Sequence, residues 1–165
     1  MRVYIPATLA MLAQLVADGL IHARSGTAFA VTPTLRESYA EGDDDELAEV
    51  ALREAALASL RLLAAEGESS LPPRRAVLVV DVAEATARPD LDDAVVRLAG
   101  PVPLSDVVAA YVDNAAAEPA VLTAVGVVDE ADLGDEDAEL AVGDAQDHDL
   151  AWYAPQELPF LLELL

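Results

Sequence analysis

The chain contains no cysteine and no lysine, and only two histidines, two phenylalanines and one tryptophan among its 165 residues. Without cysteine there are no disulfides, no thiolate nucleophile and no cysteine-ligated zinc. Positive charge is confined to nine arginines, none of them after Arg97, against 31 acidic residues and a net charge of -22. Repulsion from phosphates, with few cations to release counterions, excludes nucleic acid and anionic membrane surfaces as partners. No apolar run approaches the roughly 20 residues of a membrane span. The apolar amino-terminal stretch is interrupted by Pro6, Gln14 and Asp18, which argues against a cleaved leader, so the cytoplasm is the expected location. Glycine-rich phosphate loops, zincin helices and G-x-S-x-G elbows are all missing, so no cofactor is expected. His22 and His148 are poorly placed to serve as the base of a nucleophilic serine.

Apolar residues, by contrast, make up 54% of the chain and run along its whole length. A chain of this size buries roughly 70% of its unfolded surface, enough for one core, and residues 1–165 read as a single domain. The acidity reads first as a solubility device in an alanine-rich, arginine-only composition, and second as a surface for another protein.

The pattern alternates short strands with helices. Residues 2–6 read as a strand, followed by a helix carrying Leu9, Leu12, Val16 and Leu20 on one face, with a stop at Asp18-Gly19. A second strand covers Ala28 to Thr32. Asp43 to Glu46 open a long helix that ends at Gly67, with an i to i+4 pair of Glu49 and Arg53 on its polar side. Residues 67–75 read as a surface connection. Val77-Leu78-Val79-Val80-Asp81-Val82 is the clearest strand, apolar on both faces apart from Asp81, as a central strand requires. Residues 94–99 give another strand, Leu104 to Tyr111 a helix, and Pro119 to Val128 a further helix. The span 129–149, with ten acids and no base, reads as an exposed, mobile excursion. Leu150 to Tyr153 is the last strand and Pro155 starts a closing helix. The opening Tyr4-x-Pro6-x-x-Leu9-x-x-Leu12 is echoed by Tyr153-x-Pro155-x-x-Leu158-x-x-Leu161, which we read as shared strand-to-helix grammar. Together these elements predict an α/β (α+β) fold: a mixed sheet of four or five strands, helices mainly on one face, in a ferredoxin-like core with additions.

Two sets of residues are candidates for chemistry. Asp81 is a carboxylate in an apolar strand, where lack of a partner would be costly, and an antiparallel hairpin would bring Arg97 beside it. As a structural reading this is a buried ion pair. As a functional one it is a ligand-holding pair, with Tyr4 and Tyr153 as further candidates. Asp144, Asp147, His148 and Asp149 offer hard oxygens and an imidazole for a divalent cation, but without EF-hand spacing, and a solvated loop explains them as well.

The tracts Met1-Arg2-Val3-Tyr4-Ile5-Pro6-Ala7-Thr8, Ser25-Gly26-Thr27-Ala28-Phe29-Ala30-Val31-Thr32-Pro33 and Leu150-Ala151-Trp152-Tyr153 resemble an uncharacterised actinobacterial family, a domain of unknown function. The resemblance implies a bacterial cytoplasmic protein and brings no catalytic residue with it. Two functions are consistent with these observations: a non-enzymatic interaction or regulatory protein with an acidic surface, or a small-ligand module or enzyme built around Asp81 and Arg97. The charge makes one outcome definite. Titrated with duplex DNA at physiological salt, the protein gives no anisotropy change, and a salt-sensitive micromolar isotherm would overturn the electrostatic argument.

Overall fold

The computed structural model describes all residues 1–165. Its nine strands are β1 (Arg2–Ala7), β2 (Leu20–Ile21), β3 (Thr27–Phe29), β4 (Ala76–Asp81), β5 (Thr86–Ala87), β6 (Val95–Arg97), β7 (Val102–Pro103), β8 (Val107–Val112) and β9 (Ala151–Tyr153). Its seven α-helices are α1 (Leu9–Asp18), α2 (Pro33–Ser38), α3 (Asp44–Glu66), α4 (Glu118–Val125), α5 (Val128–Asp132), α6 (Glu136–Gln146) and α7 (Leu158–Glu163). Seven strands form one sheet in the order β5-β6-β3-β1-β4-β8-β9, every neighbouring pair antiparallel, while β2 and β7 form a separate ribbon. The mixed α/β class is as the sequence predicts, on a sheet that is larger than expected and antiparallel throughout, not mixed.

Strands β1 and β4 form the spine, paired residue for residue from Arg2 opposite Asp81 to Ala7 opposite Ala76. Pro6 is tolerated in this central strand because the ladder on its other side has lapsed: β1 and β3 are paired only at Tyr4 and Phe29. Alternation along the strands supplies two apolar faces. Val3, Ile5, Leu78 and Val80 turn to one, where Leu9, Leu12 and Leu15 of α1 and Leu158 and Leu161 of α7 cover them. Tyr4, Val77 and Val79 turn to the other and pack under Leu47, Ala51 and Ala55 of α3. Helices therefore cover both faces, which corrects the expected one-sided, ferredoxin-like layering. A spine strand apolar on both sides needs two covers.

The helix ends follow the sequence signals closely. Thr8, Thr32 and Asp43 each accept a hydrogen bond from a backbone N–H in the first turn of the helix they cap. Gly19 closes α1 in the left-handed conformation, φ 77°. Three acidic residues in the first turn of α3 complement its dipole.

Two segments differ from the sequence reading. Residues 104–111 hold a short 3-10 turn and strand β8, because this stretch faces the core on both sides as it pairs with β4. Residues 129–149 are predominantly helical. Asp135 accepts from the Ala138 N–H at 2.9 Å to cap α6, acids occupy its first turn, and Val128, Ala138 and Ala145 are buried. The counter-charge this segment lacks in sequence comes from α3, where Arg61 forms a two-bonded pair with Asp132 at 2.9 Å for each bond. Helices α4 to α6 pack on Leu60 of α3 through Val121, Ala124, Val128 and Ala145.

Asp81 and Arg97 do not meet. Strands β1 and β3 lie between β4 and β6, and Asp81 pairs instead with Arg2, across the ladder, at 3.1 and 3.3 Å. Both side chains are more than half exposed, 57% and 53%, so the pair is worth under about 1 kcal/mol and the expected buried ion pair is corrected. The Arg2 hydrogen bond lowers the Asp81 pKa, as that of Arg61 lowers Asp132. Each contributes a small stability that is present above the ordinary aspartate pKa and is lost as pH falls through the lowered value.

Ser59, in the middle of α3, is fully buried; its hydroxyl donates to the Ala7 carbonyl at 2.7 Å and accepts from the Ala76 N–H at 3.1 Å. One side chain thus bolts α3 to the paired ends of β1 and β4. Ser59→Ala removes both of these buried side-chain hydrogen bonds and is expected to lower stability by about 1–3 kcal/mol in urea denaturation. A loss below about 0.5 kcal/mol would mean that water replaces the hydroxyl.

Candidate functional site

The register that pairs Ala76 with Val112 sets Arg75 and Asp113 side by side at the ends of β4 and β8. Arg75 is 1% exposed and Asp113 fully buried. The guanidinium grips the carboxylate with both prongs, Nε to Oδ2 at 2.9 Å and Nη2 to Oδ1 at 2.8 Å. The backbone closes the same unit: the Arg75 N–H donates to Asp113 Oδ2 at 2.8 Å and the Asp113 N–H to the Arg75 carbonyl at 3.1 Å. Beyond its partner, Arg75 reaches outward through Nη1 to Gln146 Oε1 and through Nη2 to the His148 carbonyl, both at 2.7 Å. Four of its five N–H donors are used in this way. Residues 67–75 therefore do not end as a surface connection; the segment delivers a buried cation to the sheet.

Gln146 carries the connection further, donating from Nε2 to the Arg53 carbonyl in α3 at 3.3 Å. Between α3 and the segment 146–150 lies a cleft of about 680 Å³, within the roughly 300–1,000 Å³ of small-molecule sites. Leu47, Val50, Leu52 and Leu150 give it an apolar lining, with Tyr39 near the start of α3. Glu41, Glu46, Glu49, Asp149 and Arg53 add charge, and Arg75, Gln146 and His148 complete the wall. The expected Glu49–Arg53 pair does not form; six of the nine arginines are in ion pairs, and Arg53 is not among them. A smaller pocket of about 80 Å³ shares Tyr39 and Val50 with the cleft and holds Glu54. Burial, reinforced by Asp92, pushes the Glu54 carboxyl above the usual glutamate range.

The residues singled out from sequence are dispersed. Tyr4 faces α3 from the centre of the sheet, where burial raises its pKa, and Tyr153 packs on the opposite face from the edge strand β9. Arg97 lies on β6 opposite Thr27 and Thr86, its Nε buried without a hydrogen-bond partner. It rests against Gly26, at φ 69°, where an added Cβ would come within 2.9 Å of the Leu98 carbonyl and 3.3 Å of Arg97 Cδ. Asp81, Arg97, Tyr4 and Tyr153 thus form no common site. Asp144 and Asp147 sit at the end of α6, with His148 and Asp149 in the loop beyond; no three histidine or acidic side chains anywhere converge as metal ligands. His148 and Asp149 line the cleft instead.

Sequence reasoning missed Arg75 and Asp113. Their signal was opposite charges immediately before one apolar strand and immediately after another. It was hidden because residues 104–111 read as a helix, which removed the second strand.

The chain belongs to a family of unknown function (DUF6912), whose model matches residues 1–162. No curated protein and no solved structure shows significant similarity to it. No helix is long and apolar enough to cross a membrane.

The buried pair makes a sharp energetic prediction. Arg75→Met leaves Asp113 charged and buried, at an expected cost of about 3–5 kcal/mol, and Asp113→Val does the reverse. The double variant recovers much of the loss but not all, because the Arg75 N–H still lacks its carboxylate acceptor. Denaturation of all four proteins measures the coupling, and additive losses would dissolve the pair as an energetic unit.

Proposed function

We propose that this member of a family of unknown function is a small-ligand-binding protein, and that its ligand occupies the cleft between α3 and residues 146–150. The observation that carries this reading is the buried Arg75–Asp113 pair, which aims two hydrogen bonds at the segment forming the cleft's outer wall. Fixing a wall with a fully buried guanidinium costs desolvation that a featureless surface groove has no use for, and it preorganises the cleft before a ligand arrives. Apolar lining with a few converging polar groups is the usual composition of such sites. This moves the ligand-binding reading from Asp81 and Arg97 to the other end of β4.

A second reading, contact with another protein, is favoured by one observation. The acid-rich unit of α4 to α6 exposes Leu122 by 63%, Leu133 by 89% and Leu140 by 67%. The two readings differ in where loss-of-function substitutions fall, on the cleft lining or on these leucines.

Thermal-shift screening against a metabolite library tests the first reading, since a ligand of the native state raises the melting temperature by mass action. A compound at about 100 times its Kd contributes roughly 2.7 kcal/mol. Val50→Trp, which projects an indole into the cleft, is expected to abolish that shift while leaving the melting temperature of the unliganded protein close to wild type. A ligand-induced shift that persists in Val50→Trp would place the binding site elsewhere.

A further inference from the structure

The cleft carries charge of both signs, and that charge is unpaired in a particular way. Its cations are Arg53 on α3, with no carboxylate at ion-pairing distance, and Arg75 just before β4. Arg75 is 1% exposed and keeps one Nη1 N–H without an acceptor, the other N–H donors being taken by Asp113, Gln146 and the His148 carbonyl. Arg75 is one of the cleft's lining residues, and an oxygen arriving there can take up that remaining donor. Gln146 accepts from Arg75 through its Oε1 and donates to the Arg53 carbonyl through its Nε2, so it links the α3 backbone to Arg75.

The carboxylates of Glu41, Glu46, Glu49 and Asp149 line the same cleft, and none is in an ion pair. A simple anion that reached Arg53 would be repelled by these four groups. A simple cation would satisfy them but leave Arg53 and the free Arg75 donor as they are. A molecule carrying both charges meets both needs and, being neutral overall, is not excluded by the net charge of -22.

We propose that the cleft binds a zwitterion of the amino-acid or short-peptide class. Its carboxylate lies on Arg53 and the free N–H of Arg75, its ammonium among Glu46, Glu49 and Asp149, and its apolar side chains against Leu47, Val50 and Leu150. The cleft volume of about 680 Å³ has room for more than one residue. This inference rests on the reading of the cleft as a ligand site and adds the ligand's chemistry to it.

Calorimetric titration of the full chain with free apolar amino acids, their dipeptides, and the same dipeptides N-acetylated or C-amidated tests it. Capping either end is expected to weaken binding at least about tenfold, the loss of one charge-assisted contact. In Arg53→Gln the penalty for amidation shrinks while that for acetylation stays, and Glu46→Gln with Glu49→Gln gives the converse. Both variants alter exposed residues of α3, and unchanged melting temperatures check that they fold. Free amino acids binding as well as dipeptides would identify the single residue as the natural source; dipeptides binding better would identify the peptide. If the amidated or acetylated forms bind as well as the uncapped one, or if no compound in the series binds, the zwitterion assignment is overturned. A shift from another metabolite that Val50→Trp abolishes would then leave the cleft reading standing, and the lack of any such shift would remove both.

Discussion

The buried contact between Arg75 and Asp113 is the constraint on which the cleft end of this molecule depends. It joins β4 to β8 where their ladder ends, and from there Arg75 holds Gln146 and the His148 carbonyl in place. An ion pair that is merely buried gains little over apolar residues of the same shape, because desolvation consumes the Coulombic attraction. Here the outward hydrogen bonds do something an apolar pair cannot. They convert a fixed point in the sheet into a fixed point on the cleft wall.

Charge is rationed accordingly. With nine arginines among 31 acidic residues, most carboxylates can have no cationic partner, and five of the six ion-paired arginines link separate segments of the fold, Arg88 with nearby Asp90 being the exception. Arg61 to Asp132 ties the acidic helices to α3, and Arg74 to Glu118, at 2.9 Å, ties the start of β4 to α4. Ser59 and Thr8 do similar work through hydroxyls: Ser59 fixes α3 on the sheet, and the Thr8 hydroxyl donates to the Glu66 carboxylate at the far end of α3 at 2.5 Å. Local acid excess is therefore compatible with helices in residues 129–149, since caps and a distant arginine supply what the immediate sequence does not.

How much of this was legible in the sequence depended on how local the determinants were. Helices α1, α3 and α4 and strands β1, β4 and β9 follow from caps, breakers and apolar runs, each visible within a few residues. Strand β8 was not, because Val107 to Val112 has an apolar spacing that serves a helix as well as a strand, and only pairing with β4 decides between them. The same error hid the site. Asp81 attracted attention as a charge inside an apolar run, yet its position at the strand's end lets it reach solvent and Arg2. The residues that matter, Arg75 and Asp113, stand just outside apolar runs, where charges are common, and only the strand register brings them together. Arg53 and the cleft acids looked like an ordinary polar helix face, and nothing in their spacing announced the segment 146–150 opposite.

One detail of the wall bears on which substitutions it tolerates. Arg75 recognises residue 148 by its carbonyl oxygen, not by its imidazole, so the backbone there is pinned whichever side chain it carries. Residues 148 to 150 can then exchange acid, imidazole or aliphatic groups while the curve of the chain stays constant. Shape is inherited from the interior and chemistry is written on the rim. A scaffold so divided tolerates substitutions at its margin without refolding its foundation.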